Sequence, residues 1–412
     1  MIATWLRARL AAWLLLAGLA LVPSARARAQ DRPYIPASDA VVLEHLPSTR
    51  DPRVRAFDAL RRARTSAPRN PKLAIELARS YLDYGRATGD ARFLGRAQAV
   101  IAPLLAVKSP SPDVMLLEAT LLQSRHEFVE SRRMLKALLR REPDNTGAWL
   151  TLSAVALVQG DSQEARRDCT HLLTQSDALV AAGCIAALDT VTGHARDALR
   201  VLDAVLPQAS AATPGEQAWI RGLMADAARY VGDGVRADRE FRTALQLTPG
   251  DNFLIADYAD FLLDNHRARE ALELTRDYAQ SDTSFLRQVL AEQALGMAQA
   301  SADGMAMASR FADLERRGDR RLYAREAARF ALDVQQDPRR ALQLARDDWS
   351  FQRAPEDARV LLAAALAAHQ PQLAQPVLDF VAATGLEDPA VRALVRQAKT
   401  AIASAHPSGR PP

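Results

Sequence analysis

A small residue returns at near-regular intervals through most of this chain: Ala78, Ala119, Ser153, Ala186, Ala225, Ala259, Ala291, Ala328 and Ala364. The steps between them are 41, 34, 33, 39, 34, 32, 37 and 36 residues. Self-similarity at such a period constrains a fold more tightly than any single motif, because it marks an array of short units that bury their apolar faces only by stacking. Other residues keep step. In the stretch "ADREFRTALQLTPGDN", which begins at Ala237, helical spacing puts Ala237, Phe241 and Ala244 on one face, and Pro249 ends the run. Numbering residues 218–251 as one block puts Ala225 at position 8, Gly232 at 15, Ala237 at 20, Phe241 at 24, Ala244 at 27 and Pro249 at 32. Block 146–179 repeats the template with Trp149 at 4, Leu152 at 7, Gly160 at 15, Ala165 at 20, Cys169 at 24 and Leu172 at 27. Block 112–145 repeats it with Ala119, Leu135, Leu138 and Pro143 at 8, 24, 27 and 32.

These residues resemble the tetratricopeptide repeat, a pair of antiparallel helices per 34 residues. "AWLTLSAVALVQGDSQEAR" from Ala148 matches best; "ARSYLDYG" from Ala78 and "ADYADFLLDNHRAREALEL" from Ala256 also match, the last with His266 in place of the turn glycine. The resemblance implies an all-α, right-handed superhelical solenoid. Small residues at 8 and 20 let the paired helices approach, larger ones at 24 and 27 fill the gap to the next pair, and glycine at 15 makes the turn. We expect the array over 71–388, about nine repeats with the last three degenerate, around "AQASADGMAMAS" above all. The departures from 34 are read as loops at "RATGDARFL" and "QASAATPGEQ". Residues 30–70 are read as an extended segment and a capping helix carrying Val54, Phe57 and Leu60, and 389–412 as a closing helix and a frayed tail.

The first 29 residues read as a signal peptide: Arg7 and Arg9, an apolar stretch from Leu10 to Val22, then Pro23 and the small pair Ala27 and Ala29. The apolar stretch is short for a membrane span, and no later run is long enough. The expected product is exported, and resides in the periplasm where the host has two membranes. Export also changes the charge. The chain has 53 basic and 49 acidic residues, and four of the arginines lie in residues 1–29, so the remainder balances at 49 against 49. A neutral chain offers no electrostatic reason to expect nucleic acid or an anionic membrane.

Motifs for chemistry are missing. "RHEFVE" from Arg125 lacks the second histidine of a zinc-protease helix, and there is no nucleophile elbow, phosphate loop or dinucleotide fingerprint. Cys169, His171, Cys184 and His194 do not have zinc-site spacing. The expectation is therefore no catalysis, no metal and no cofactor.

In the family the first helix of each repeat lines a concave groove. Carried onto this chain, the middle repeats offer Trp219, Asp226, Arg229, Tyr230, Phe253, Asp260, Phe285 and Glu292. The early repeats offer Arg79 and Asp83, and the later ones Arg325 and Arg329. Aromatics among arginines and acids suit a peptide or partner protein. The lysine–asparagine clamp that some relatives use for a C-terminal carboxylate is replaced by Ile75 and Arg79, then Leu116 and Thr120. The two cysteines, Cys169 and Cys184, fall on neighbouring helices of successive repeats and are expected to form a disulfide in an oxidising compartment. The resulting expectation is an exported interaction scaffold or adaptor. The alternatives are a structural or accessory subunit of an envelope secretion or polysaccharide-processing complex and, further off, an enzyme.

Overall fold

The computed structural model describes residues 36, 38, 40, 51–317 and 320–405. The expected signal segment, residues 1–29, lies outside the described residues. Residues 50–412 form one compact unit, and its described residues contain helices and turns without strands.

The unit opens with α1 (Pro52–Ser66). Helix pairs follow: α2 (Pro71–Thr88) with α3 (Arg92–Leu105), and α4 (Pro112–Ser124) with α5 (Phe128–Leu139). Next come α6 (Thr146–Val158) with α7 (Ser162–Gln175), α8 (Ala178–Val191) with α9 (Ala195–Val205), and α10 (Pro214–Val231) with α11 (Gly234–Leu247). The last pairs are α12 (Asn252–Asp264) with α13 (Ala268–Thr275), α14 (Asp282–Ala294) with α15 (Gln299–Arg317), α16 (Ala324–Arg329) with α17 (Pro338–Trp349), and α18 (Pro355–Ala367) with α19 (Gln375–Thr384). Helix α20 (Pro389–Ala405) closes the unit.

Local chemistry fixes these boundaries. Asn70, Asn145, Asp161, Asp177 and Asp233 each accept a backbone N–H of the following first turn, satisfying a donor that the helix itself leaves open. Thr213 and Glu216 form a reciprocal capping box at the start of α10. Between the two helices of every pair one residue turns left-handed: Gly89, His126, Gly160, Gly193, Gly232, His266, Gly296, Gln336 and His369, with φ between 55° and 84°. Left-handed backbone favours glycine, yet four of these nine are not glycine.

The recurring small residues hold the close helix contacts. All nine are 0–2% exposed, because at that crossing only a methyl or hydroxymethyl group fits between two backbones. Ala165, Ala237, Leu135, Phe241, Leu138 and Ala244 are likewise buried at the second-helix positions of the template. The two longer repeats are accommodated by helix rather than open loop. Helix α2 runs on through Arg86 to Thr88, and Leu206–Ala211 winds into a 3-10 turn after α9. The weakly patterned stretch around Ala302 forms the first half of α15. At the N-terminal end Phe57 of α1 seats against Tyr81, Tyr84 and Phe93, with ring centroids 5.1, 5.5 and 5.7 Å away.

One contact pattern has no counterpart within a single helix pair. The turns of the first four pairs rest on the connections that follow the sixth to ninth pairs. Gly89 lies against Asn252 and Ser281. His126 Nδ1 is 3.0 Å from the Arg321 carbonyl oxygen. Arg353 N–H donates to the Val158 carbonyl at 2.7 Å, and a Cβ at Gly193 would stand 2.6 Å from the Gly385 carbonyl oxygen. Each step down the array thus repeats an offset of five pairs, and the two rims of the array meet around the first helices.

Candidate functional site

The first helices surround a cavity of about 490 Å³. Its wall includes Leu223, Asp226 and Tyr230 of α10, Phe253, Ala256 and Asp257 of α12, and Thr283 and Arg287 of α14. The segment from Arg321 to Glu326 and the connection from Asp348 to Glu356 complete it. Helical spacing explains the wall. Asp226 and Tyr230 are four residues apart on α10, as are Phe253 and Asp257 on α12, so each helix turns an acid and an aromatic to the same side. Tyr230 is buried, whereas Phe253 is 57% exposed.

Of the twelve groove residues expected from sequence, Asp226, Tyr230, Phe253 and Arg325 line this cavity. Arg229 stands beside it, 3.3 Å from Asp226 and 3.6 Å from Glu356, with its guanidinium 5.1 Å from the Tyr230 ring centre. Asp260 joins two helices by pairing with Arg287 at 2.7 Å and Arg329 at 2.6 Å. The others lie elsewhere. Arg79 pairs with Asp113 at 3.0 Å, and Asp83 is exposed. Trp219 lies over Gly183 of α8, where any Cβ would collide with its ring. Phe285 is buried beneath Arg310, whose guanidinium is 4.2 Å from the ring centre. Glu292 is buried and accepts from Gln288 at 3.0 Å. Cys169 and Cys184 are joined as a disulfide between α7 and α8, and His171 stacks on Trp149 with ring centres 4.0 Å apart.

The cavity also gathers residues that the sequence pattern did not select: Asp257, Asp348, Gln352 and Glu356. Asp257 falls between the template positions assigned to the groove, and the other three lie at the junction of two of the degenerate last repeats. Their electrostatics follow from the crowding. Burial first, then the Asp226 and Glu356 carboxylates, push Asp257 well above the ordinary carboxylate range, with Arg229 acting against them. Burial likewise takes Asp226 to about 6 despite Arg229. Burial and then Asp357 raise Asp348 to about 9. Burial would raise Asp260 too, but Arg287 and Arg329 override it and hold that carboxyl well below its usual range. Among the described residues no three His, Cys, Asp or Glu side chains are gathered as a metal-ligand set, and no helix is long and apolar enough to cross a membrane.

No protein-family model and no curated protein sequence matches the chain. In fold it is similar to a chain of the APC/C hetero-tetramer Cut9–Hcn1, with a TM-score of 0.52 and 13% identity; the match covers 84% of this chain and 66% of that one. Weaker likenesses are to human IFIT1, in a dimer with m7Gppp-AAAA (TM-score 0.45, 12% identity, 85% and 87% covered), and to a tetratricopeptide repeat protein from Parabacteroides merdae (TM-score 0.37, 13% identity, 71% and 98% covered). The chain is an all-α repeat protein with a tetratricopeptide-like fold.

Proposed function

We propose that the protein is an exported scaffold, without catalysis, that holds a segment of a partner protein in the cavity between its first helices. The observation that carries this reading is Phe253. Among the described residues it is the one exposed phenylalanine or tryptophan, and its surface faces the cavity wall formed with Asp226, Tyr230 and Ala256. An aromatic kept accessible inside a concave site, with polar groups around it, is the composition of a binding anchor. Export is supported by the Cys169–Cys184 disulfide, since such bonds persist in oxidising compartments, together with the charged and apolar pattern of residues 1–29.

Site-specific photo-crosslinking tests the location. A benzoylphenylalanine placed at 253 in the producing cell should trap a discrete partner, and the same group at Val235, exposed on the second helix α11, should not. Adducts that form from 235 and fail from 253 would move the binding surface to the outer helices and overturn the reading.

A further inference from the structure

We propose that this cavity selects an organic cation: an ammonium or guanidinium on an apolar stem, its charge against Asp257 and its stem along Phe253. The inference rests on the peptide-binding reading and deepens it, the cation being a basic side chain of the bound segment.

Charge pairing around the cavity leads to Asp257. Arg287 is committed to Asp260 at 2.7 Å, and also faces Glu326 at 3.6 Å. Arg325 is shared among Glu326, Asp357 and Glu356 at 3.4, 3.5 and 3.9 Å. Arg229 lies between Asp226 and Glu356. Of the remaining lining cations, Arg86 and Arg321 are exposed, and the Arg321 guanidinium covers the Phe351 ring at 5.5 Å. Asp257 has no ion pair or hydrogen bond among the described residues; Asp226, Glu356 and Asp260 act on it repulsively, and Arg229 partly relieves it. A half-buried carboxylate crowded by like charges and without a counterion is unfavourable, and it is relieved by a proton or by a cation that enters with a ligand.

A second, independent group points the same way. Gln352 is only 5% exposed and lines the same cavity. Its Nε2 donates to Asp357 at 3.1 Å, but its Oε1 has no hydrogen-bond partner. A buried carbonyl oxygen left open requires an N–H or O–H donor. The cavity thus offers acceptors, a carboxylate and an amide oxygen, on walls whose inner arginines, Arg287 and Arg325, are already paired. The Phe253 ring, one helical turn from Asp257, supplies an apolar and quadrupolar surface suited to the stem and head of a lysine or arginine side chain. At about 490 Å³ the space falls within the usual range of about 300–1,000 Å³ for small-ligand sites. It accommodates a side chain with its flanking backbone rather than a helix.

Calorimetry on the purified protein separates the outcomes, using three probes: acetyl-Gly-Leu-Lys-Leu-Gly-amide, the same peptide with Nε-acetyl-lysine, and 1,5-diaminopentane. The lysine peptide should bind and its acetylated form should not. Asp257→Asn should weaken the lysine peptide by about tenfold or more, while thermal melts show the variant folded. Affinity should rise with pH as Asp257 ionises in the field of Asp226, Glu356, Asp260 and Arg229, and this dependence should shrink in the variant. Equal binding of the acetylated peptide would overturn the cation inference and leave peptide binding standing; because it uses the unaltered protein, it decides the matter even if Asp257→Asn misfolds. Binding of the diamine with neither peptide would keep the cation site and refute the peptide reading. Undiminished binding by folded Asp257→Asn, or no binding of any probe, would refute the inference.

Discussion

Asp348 gives the sharpest test of how the interior charges are held. The side chain is 2% exposed and sits at the end of α17, against Asp357 in the first turn of α18. Burial and the neighbouring Asp357 carboxyl raise it to about 9, with Arg325 only partly compensating. The carboxyl therefore keeps its proton in the folded protein at neutral pH, whereas in the unfolded chain it ionises above about pH 4. For an acid whose folded pKa is raised, stability is greatest below the unfolded pKa and is lost as pH climbs towards the folded one. Each unit in that window is worth about 1.4 kcal/mol, so at pH 7 the loss is at most about 4 kcal/mol. Asparagine preserves the shape and an N–H donor towards Asp357 but has no proton to lose. We expect Asp348→Asn to be more stable than wild type by about 2–4 kcal/mol at pH 7, and equal or slightly less stable at pH 4. Urea unfolding monitored by helical circular dichroism from pH 4 to 9 measures both chains. A variant that retains the wild-type pH slope, or is destabilised at every pH, would refute the claim that Asp348 is held protonated.

Asp260 has the opposite sign: with its folded pKa depressed, its contribution is present above about pH 4 and is lost as pH falls further. Asp260→Asn leaves Arg287 and Arg329 facing one carboxylate fewer and should cost about 3–5 kcal/mol at pH 7 in urea unfolding; a loss under 1 kcal/mol would contradict its placement. Gly183→Ala should destabilise by about 1–3 kcal/mol through collision with Trp219, and Trp219→Leu in the same chain should recover part of this, so strictly additive losses in a double-mutant cycle would count against the contact. His266→Gly should raise stability by about 0.5–1 kcal/mol in the same unfolding assay, because His266 is exposed and left-handed at φ 58°.

The sequence carries the helix pairs because the same steric demand returns with each one. A first helix meets its partner where only a small side chain fits, so Ala78 and its eight counterparts reappear whatever the surrounding composition. The turn is less legible, since what recurs there is a left-handed dihedral and not a residue type: His126, Gln336 and His369 satisfy it as Gly160 and Gly232 do. The cavity is harder still to foresee. The ionic order around it depends on pairs with no local spacing, such as Arg329 with Asp260, 69 residues apart, and Arg359 with Asp264, 95 residues apart. These bonds join α12 to α16 and to α18, two and three helix pairs further on, and such longer-range matches leave no periodic mark. Trp219 had a legible sign that can be stated in physical terms. A glycine inside the otherwise alanine-rich helix α8 forfeits about 1 kcal/mol of helix propensity, which is reasonable only if something must come closer than a methyl group permits. At Gly183 that something is the Trp219 ring. The same reasoning applies to Asp257, a carboxylate set among carboxylates where an alanine would have served the helix better. Its unfavourable position is intelligible if the missing counterion arrives with a ligand, and that is the quantity the acetylated and free lysine peptides compare.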